Sequence, residues 1–139
     1  MIRRAFLALM TVLVTAGLMT AVPDAADAHP RYYAWGTTAA RDQKLKKGCH
    51  DYTYRYRIAA PTDEWAAEIF IKNKNGRFIA SNAIDTASDP DRGALTFHLC
   101  RRSTAPGRHT IKMKITWQDG RDQYDGWVPP TRFKLYKRR

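Results

Sequence analysis

The chain is short of cysteine, of acid and of apolar runs, and each shortage excludes something. Two cysteines stand in 139 residues and they do not form a C-x-x-C pair, so a dithiol redox motif is absent. Asp and Glu number 13 against 24 Lys and Arg, giving a net charge of +11. Among the apolar runs a single one, near the start, approaches membrane-spanning length, which excludes a multi-helix membrane protein. No G-x-S-x-G, H-E-x-x-H or P-loop string occurs, and no motif of the RRM, KH or helix-turn-helix type. No internal repeat or low-complexity block is visible. The chain is long enough for one domain at most. With 44% hydrophobic and 12% aromatic residues, it has the material for a core, so wholesale disorder is excluded as well.

The first 28 residues read as an address. Arg3 and Arg4 form a positive start, Ala5 to Val22 is uncharged and mostly apolar, and Pro23 interrupts it. Ala26-Asp27-Ala28 has the small-residue pattern of a signal-peptidase site, so residues 1–28 are expected to be removed as a signal peptide. The competing reading is an uncleaved anchor. Arg3-Arg4-Ala5-Phe6-Leu7 resembles the R-R-x-F-L core of twin-arginine signals, but the short positive region and strongly apolar stretch favour ordinary secretion in the unfolded state. The expected mature chain is a single domain, 29–139, secreted and extracellular. The leader takes two Arg and two Asp with it, so the whole excess charge belongs to the exported domain.

In that compartment two cysteines, Cys49 and Cys100, are expected to form a structural disulfide. A loop of this length implies about 4 kcal/mol of chain-entropy stabilisation.

Side-chain alternation of period two dominates from residue 50 onward. His50, Tyr52, Tyr54, Tyr56 and Ile58 share one face and Asp51, Thr53, Arg55 and Arg57 the other. Residues 65–82 read as a hairpin around Asn73-Lys74-Asn75-Gly76. Strands follow at 95–99, 111–117 and 133–135, with turns at 103–107 and 119–120, and a first strand is expected near 31–35. Residues 39–47 read as a short helical turn or a loop, and 83–93 as a loop. Seven or eight short strands with turn signals between them make an all-β antiparallel sandwich the expected fold.

Cys49, Trp65 and Cys100 resemble the Cys…Trp…Cys order of immunoglobulin-like domains. The segment Leu95 to Trp117, with Pro106-Gly107-Arg108-His109-Thr110-Ile111, is similar to the closing hairpin of small exported bacterial Ig-like sandwiches, and the Arg-, Ala- and Asp-rich composition looks actinobacterial. The resemblance spans roughly 49–117 and implies a binding or structural module. Two features depart from it. His98 stands where the tyrosine corner of antibody-type domains has Tyr. Both cysteines also share parity with polar residues, which suits a bridge between strand ends or neighbouring strands.

Four groups of residues are candidates for function. Arg55, Arg57, Lys112 and Lys114 point outward by parity, Arg101, Arg102 and Arg108 surround the Pro106-Gly107 turn, and Lys134 lies near the basic end of the chain. Such a surface attracts polyanions, or serves simply as a solubilising exterior that blocks edge pairing. Among the aromatics, the row Tyr52, Tyr54, Tyr56 reads as core. Tyr124 and Trp127 read as an exposed loop tip able to stack sugars or bases. Hairpin symmetry about 103–104 would set His98 opposite His109, a pair with the chemistry of a small ribonuclease-like hydrolase, with Lys112 nearby. Asp85, Asp89 and Asp91 invite a calcium reading but fail the EF-hand spacing and equally mark a turn.

The reading that follows is a secreted, disulfide-closed, non-catalytic binding module. It is expected to be monomeric, without cofactor or metal, and to engage an anionic cell-envelope polymer or a protein at the cell surface. The His98/His109 hydrolase is the alternative.

Overall fold

The computed structural model describes residues 31–137. The expected leader, its cleavage site and the twin-arginine-like string lie outside the described residues. Nine strands follow one another: β1 (Gly36–Ala39), β2 (Gln43–Lys44), β3 (Cys49–Ile58), β4 (Trp65–Lys72), β5 (Phe78–Asp85), β6 (Arg92–Cys100), β7 (Gly107–Asp119), β8 (Asp122–Trp127) and β9 (Thr131–Tyr136). A three-stranded sheet has the order β1-β3-β6, and a six-stranded sheet has the order β2-β9-β7-β4-β5, with β8 also paired to β7. All pairings are antiparallel except the two-residue contact of β2 with β9. The all-β sandwich is therefore the fold. β8 and β9 both pair with β7 and are separated by Val128-Pro129-Pro130. Two consecutive residues without an N–H cannot sit in the ladder, so a single return strand reads as two.

Alternation decides which side chains face inward. Tyr52, Tyr54, Tyr56 and Ile58 from β3 and Phe97 and Leu99 from β6 line one inner face. Trp65, Ala67, Ile69 and Ile71 from β4 oppose them, with Ile111, Met113 and Ile115 from β7 and Phe133 and Leu135 from β9. The tyrosine row is core, and each hydroxyl has a partner. Tyr52 accepts from the Lys46 N–H, Tyr54 accepts from Asn82 Nδ2, and Tyr56 donates to the Pro90 carbonyl. Buried hydroxyls need such partners to offset lost hydration. Polar links also close the two open sides of the sandwich. Asn82 Nδ2 reaches from β5 to Tyr54 and to the Thr96 carbonyl. On the other side the Thr38 hydroxyl of β1 donates to Thr131 of β9, which donates back to the Thr38 carbonyl.

Several local expectations are corrected. The first strand lies at 36–39, not 31–35; Tyr32 makes only an isolated bridge to Trp127. Residues 39–47 contain no helical turn, and β2 runs through them. Asp85 and Asp89 cap the β5–β6 connection through the N–H groups of Ala87, Ser88 and Asp85, which is the turn reading of the acidic loop. The largest correction concerns 103–107. That segment is not a hairpin turn but the passage from β6 in one sheet to β7 in the other. Six residues, 101–106, suffice to cross the ~10 Å between packed sheets.

Cys49 and Cys100 are bonded, and they are directly opposed residues of neighbouring strands β3 and β6. The bridge thus lies within one sheet, whereas the disulfide of antibody domains joins the two sheets. Trp65 is buried on the other sheet.

Candidate binding face

The outer face of the six-stranded sheet concentrates what the sequence scatters. Its residues alternate with the buried Ile and Met positions of β4 and β7, so parity alone sends Phe70 and Lys72, and Thr110, Lys112 and Lys114, to the outside. Register then sets them side by side: Phe70 pairs with Lys112, Lys72 with Thr110, Glu68 with Lys114, and Lys114 with Trp127. Phe78 enters from β5 opposite Lys72, next to a register shift between Ile71 and Lys72.

The result is an alternating row of rings and ammonium groups. Lys72 Nζ lies 4.5 Å from the Phe78 ring centre, and Lys112 Nζ lies 4.0 Å from that of Trp127. Phe70 stands between them, its ring 5.3 Å from Phe78 and 6.0 Å from Trp127. Phe78 is 55% exposed. Cations over ring faces gain from the ring quadrupole, and their alkyl stems cover the apolar surface. Lys112 has its pKa lowered, first by partial burial and then by the nearby charge of Lys72. A negative ligand arriving between the two would relieve that repulsion.

The face continues toward β9. Arg108 pairs with Lys134, and Thr110 with Arg132. A shallow depression of about 540 Å³ is lined by Lys72, Asn73, Lys74, Gly76, Arg108 and Thr110. Acid is present as well: Glu68 sits on β4 in register with Lys114, two residues from Phe70. Asp125 pairs with Lys114 at 2.9 Å, and Asp42 accepts the Lys134 backbone N–H. Among the described residues the one other ion pair is His98–Asp51, on the opposite sheet.

The sequence-derived candidates separate into four places. Lys112, Lys114, Arg108, Lys134 and Trp127 meet on this face. Arg55 and Arg57 lie on the outside of the three-stranded sheet, where Arg92 pairs with Arg57. Arg101 and Arg102 sit at one end of the sandwich with Lys47 and Lys137 around a depression of about 320 Å³. Tyr124 and Trp127 do not form a loop tip. Both are on β8, and their odd spacing sends them to opposite sides of the sheet. Tyr124, still 43% exposed, stacks on Trp117 in an array with Trp35 and Tyr33. Phe70, Phe78 and Lys72 escaped the sequence reading, although the alternation of Ala67, Ile69 and Ile71 already placed Phe70 and Lys72 outside.

His98 and His109 are not opposed. His98 is exposed on β6, bonded through Nδ1 to Asp51 at 2.8 Å. His109 is fully buried on β7 in the other sheet, its Nδ1 bonded to the Gly107 carbonyl and its Nε2 without a partner. The crossing at 101–106 separates them, so no acid–base pair forms. Cys49, Cys100 and His98 cluster, but both thiols are spent in the disulfide.

No protein-family model matches the chain, and no curated protein resembles it at a significant level.

Proposed function

We propose that the protein is a secreted, non-catalytic binding module that holds an anionic cell-envelope polymer on the outer face of its six-stranded sheet. The observation that carries this is the row Phe78–Lys72–Phe70–Lys112–Trp127. A linear polyanion presents repeating charge to the ammonium groups and apolar or ring surface to the aromatics. Such contact combines screened attraction with stacking. The disulfide is compatible with an extracellular setting, and the positive net charge raises the local concentration of any polyanion there.

The test is retention of the protein on purified cell-wall polymer and on anionic vesicles at two salt concentrations. The expected result is salt-sensitive retention on the polymer. The triple variant Lys72→Ala, Lys112→Ala, Trp127→Ala should lose it, while Arg55→Ala, Arg57→Ala on the opposite sheet should keep most of it. Retention that does not fall with salt would sink the electrostatic reading. Equal loss in both variants would reduce the face to general charge.

A further inference from the structure

The second cluster of chemistry-bearing side chains lies on the other sheet, away from the proposed polymer face. β3 and β6 pair so that Cys49 opposes Cys100 and, two residues along, Asp51 opposes His98. Residues two apart on a strand share a face. The four side chains therefore form a square at the end of the three-stranded sheet, C-x-D on one strand and H-x-C on the other. The donor atoms of Cys49, His98 and Cys100 all lie within 4.8 Å of one another. The square is open to solvent, with Cys49 exposed and the His98 and Asp51 side chains 68% and 61% exposed.

We infer that these residues have two mutually exclusive covalent states, the disulfide and a site for a borderline-soft divalent cation such as Zn²⁺. A dithiol reductant opens the bridge. Its two electrons and two protons go to the Cys49 and Cys100 sulfurs, and it leaves as its own disulfide. The metal then displaces the two thiol protons and binds two thiolates and the His98 imidazole. With Zn–S about 2.3 Å and Zn–N about 2.0–2.1 Å, tetrahedral coordination needs donors about 3.6–3.8 Å apart. The donor atoms already lie within 4.8 Å of one another, and once the bridge opens, rotation of the Cys49, Cys100 and His98 side chains would carry them to those separations. Asp51 has the place of an orienting carboxylate: it accepts from His98 Nδ1 at 2.8 Å, which leaves Nε2 to face the metal, as ligating histidines usually do. Water fills the fourth position. Neighbouring strands bring the ligands together, so the site needs no loop closure of its own.

The experiment uses the purified protein, oxidised or reduced with a non-thiol phosphine, titrated with Co²⁺ and then Zn²⁺. Thiolate-to-cobalt charge-transfer and tetrahedral ligand-field bands are expected for the reduced protein at one metal per chain, and none for the oxidised protein. Zn²⁺ should bleach them. Asp51→Asn should weaken metal affinity by about 10–100-fold, and His98→Ala should weaken it and change the ligand-field spectrum. Far-UV circular dichroism on the same samples follows the sheet. A reduced chain that unfolds but regains its sheet signal with Zn²⁺ supports the site. Absence of the bands in the reduced protein, folded or not, overturns it. So does an affinity and spectrum unchanged by His98→Ala.

Discussion

Lys112 holds its ammonium 4.0 Å above the ring centre of Trp127, one strand over on the exposed face of the larger sheet. A ligand that draws Lys112 away changes the field around that indole. Polymer binding should therefore shift the emission of the protein, and Trp127→Phe should remove most of the shift while leaving the signals of Trp35, Trp65 and Trp117. Because partial burial and Lys72 lower the Lys112 pKa below 10.5, its charge is lost earlier on an alkaline titration than that of an ordinary lysine. Affinity should begin to fall below pH 10.5, and Lys72→Gln should move that fall upward. Affinity in Lys72→Gln that falls at the same pH as in the unaltered protein would contradict the coupling.

Tyr54 makes a second measurable case. Its hydroxyl is held by Asn82 at 2.8 Å across the open side of the sandwich. Burial pushes its pKa up to about 12, opposed by the Asn82 hydrogen bond and assisted by Tyr56. Tyr54→Phe should cost about 1 kcal/mol in denaturant unfolding, the usual net worth of one such bond. A double-mutant cycle with Asn82→Ala should show the two changes to be coupled. The folded pKa lies above the unfolded value of 10.0 because the hydroxyl is buried, so the stability tied to keeping it protonated is intact below pH 10 and is lost as pH rises toward 12. A phenolate absorbance titration should show a late step for this tyrosine near pH 12. Tyr54→Phe should lack that late step.

How far the sequence led can be read from particular residues. The tyrosine row, the 65–82 hairpin and the outward lysines of β7 follow from parity, because a buried face forces alternation. The Cys49–Cys100 bridge follows from compartment, and its in-sheet placement from the parity of the two thiols with Asp51 and His98. The β6–β7 passage was not legible. A Pro-Gly turn between two alternating segments looks the same whether the chain doubles back or crosses to the second sheet. That ambiguity produced the false opposition of His98 and His109. The aromatic row was half legible: Phe70 and Lys72 are outward by parity, but Phe78 is placed opposite Lys72 by a register shift within the hairpin, and Trp127 is brought near Phe70 by the long-range β4–β7 pairing that no local spacing encodes.

Gly126 shows what close approach requires. A Cβ there would meet the Tyr33 ring at 2.5 and 2.6 Å and the Trp35 ring at 2.9 Å. These rings are stacked on each other, and Trp35 meets Trp117 edge-on. Gly126→Ala should displace that array and cost about 1–3 kcal/mol, the range for overpacking. Near-ultraviolet circular dichroism should lose intensity from the coupled aromatics. An unchanged spectrum with unchanged stability would mean that the array is not tied to β8.

His109 sets an acid limit on the fold. The ring is fully buried beside Phe133, with Nδ1–H donating to the Gly107 carbonyl and Nε2 unpartnered. Burial lowers its pKa from 6.5, and the Gly107 bond offsets part of that. A neutral ring suits this site because a second N–H would have nothing to donate to. The unfolded chain therefore takes up a proton near pH 6.5 before the folded chain does. By linkage the contribution is complete above pH 6.5 and declines as pH falls through the lower folded value. Urea midpoints measured from pH 7.5 to 5 should drop. His109→Leu, which fills the site with no titrating group, should flatten the slope whatever it does to the absolute midpoint. The exposed His98–Asp51 pair stays in both proteins, so the difference between the two slopes belongs to His109. Equal slopes would mean that the ring is reached by water and protonates without unfolding the chain.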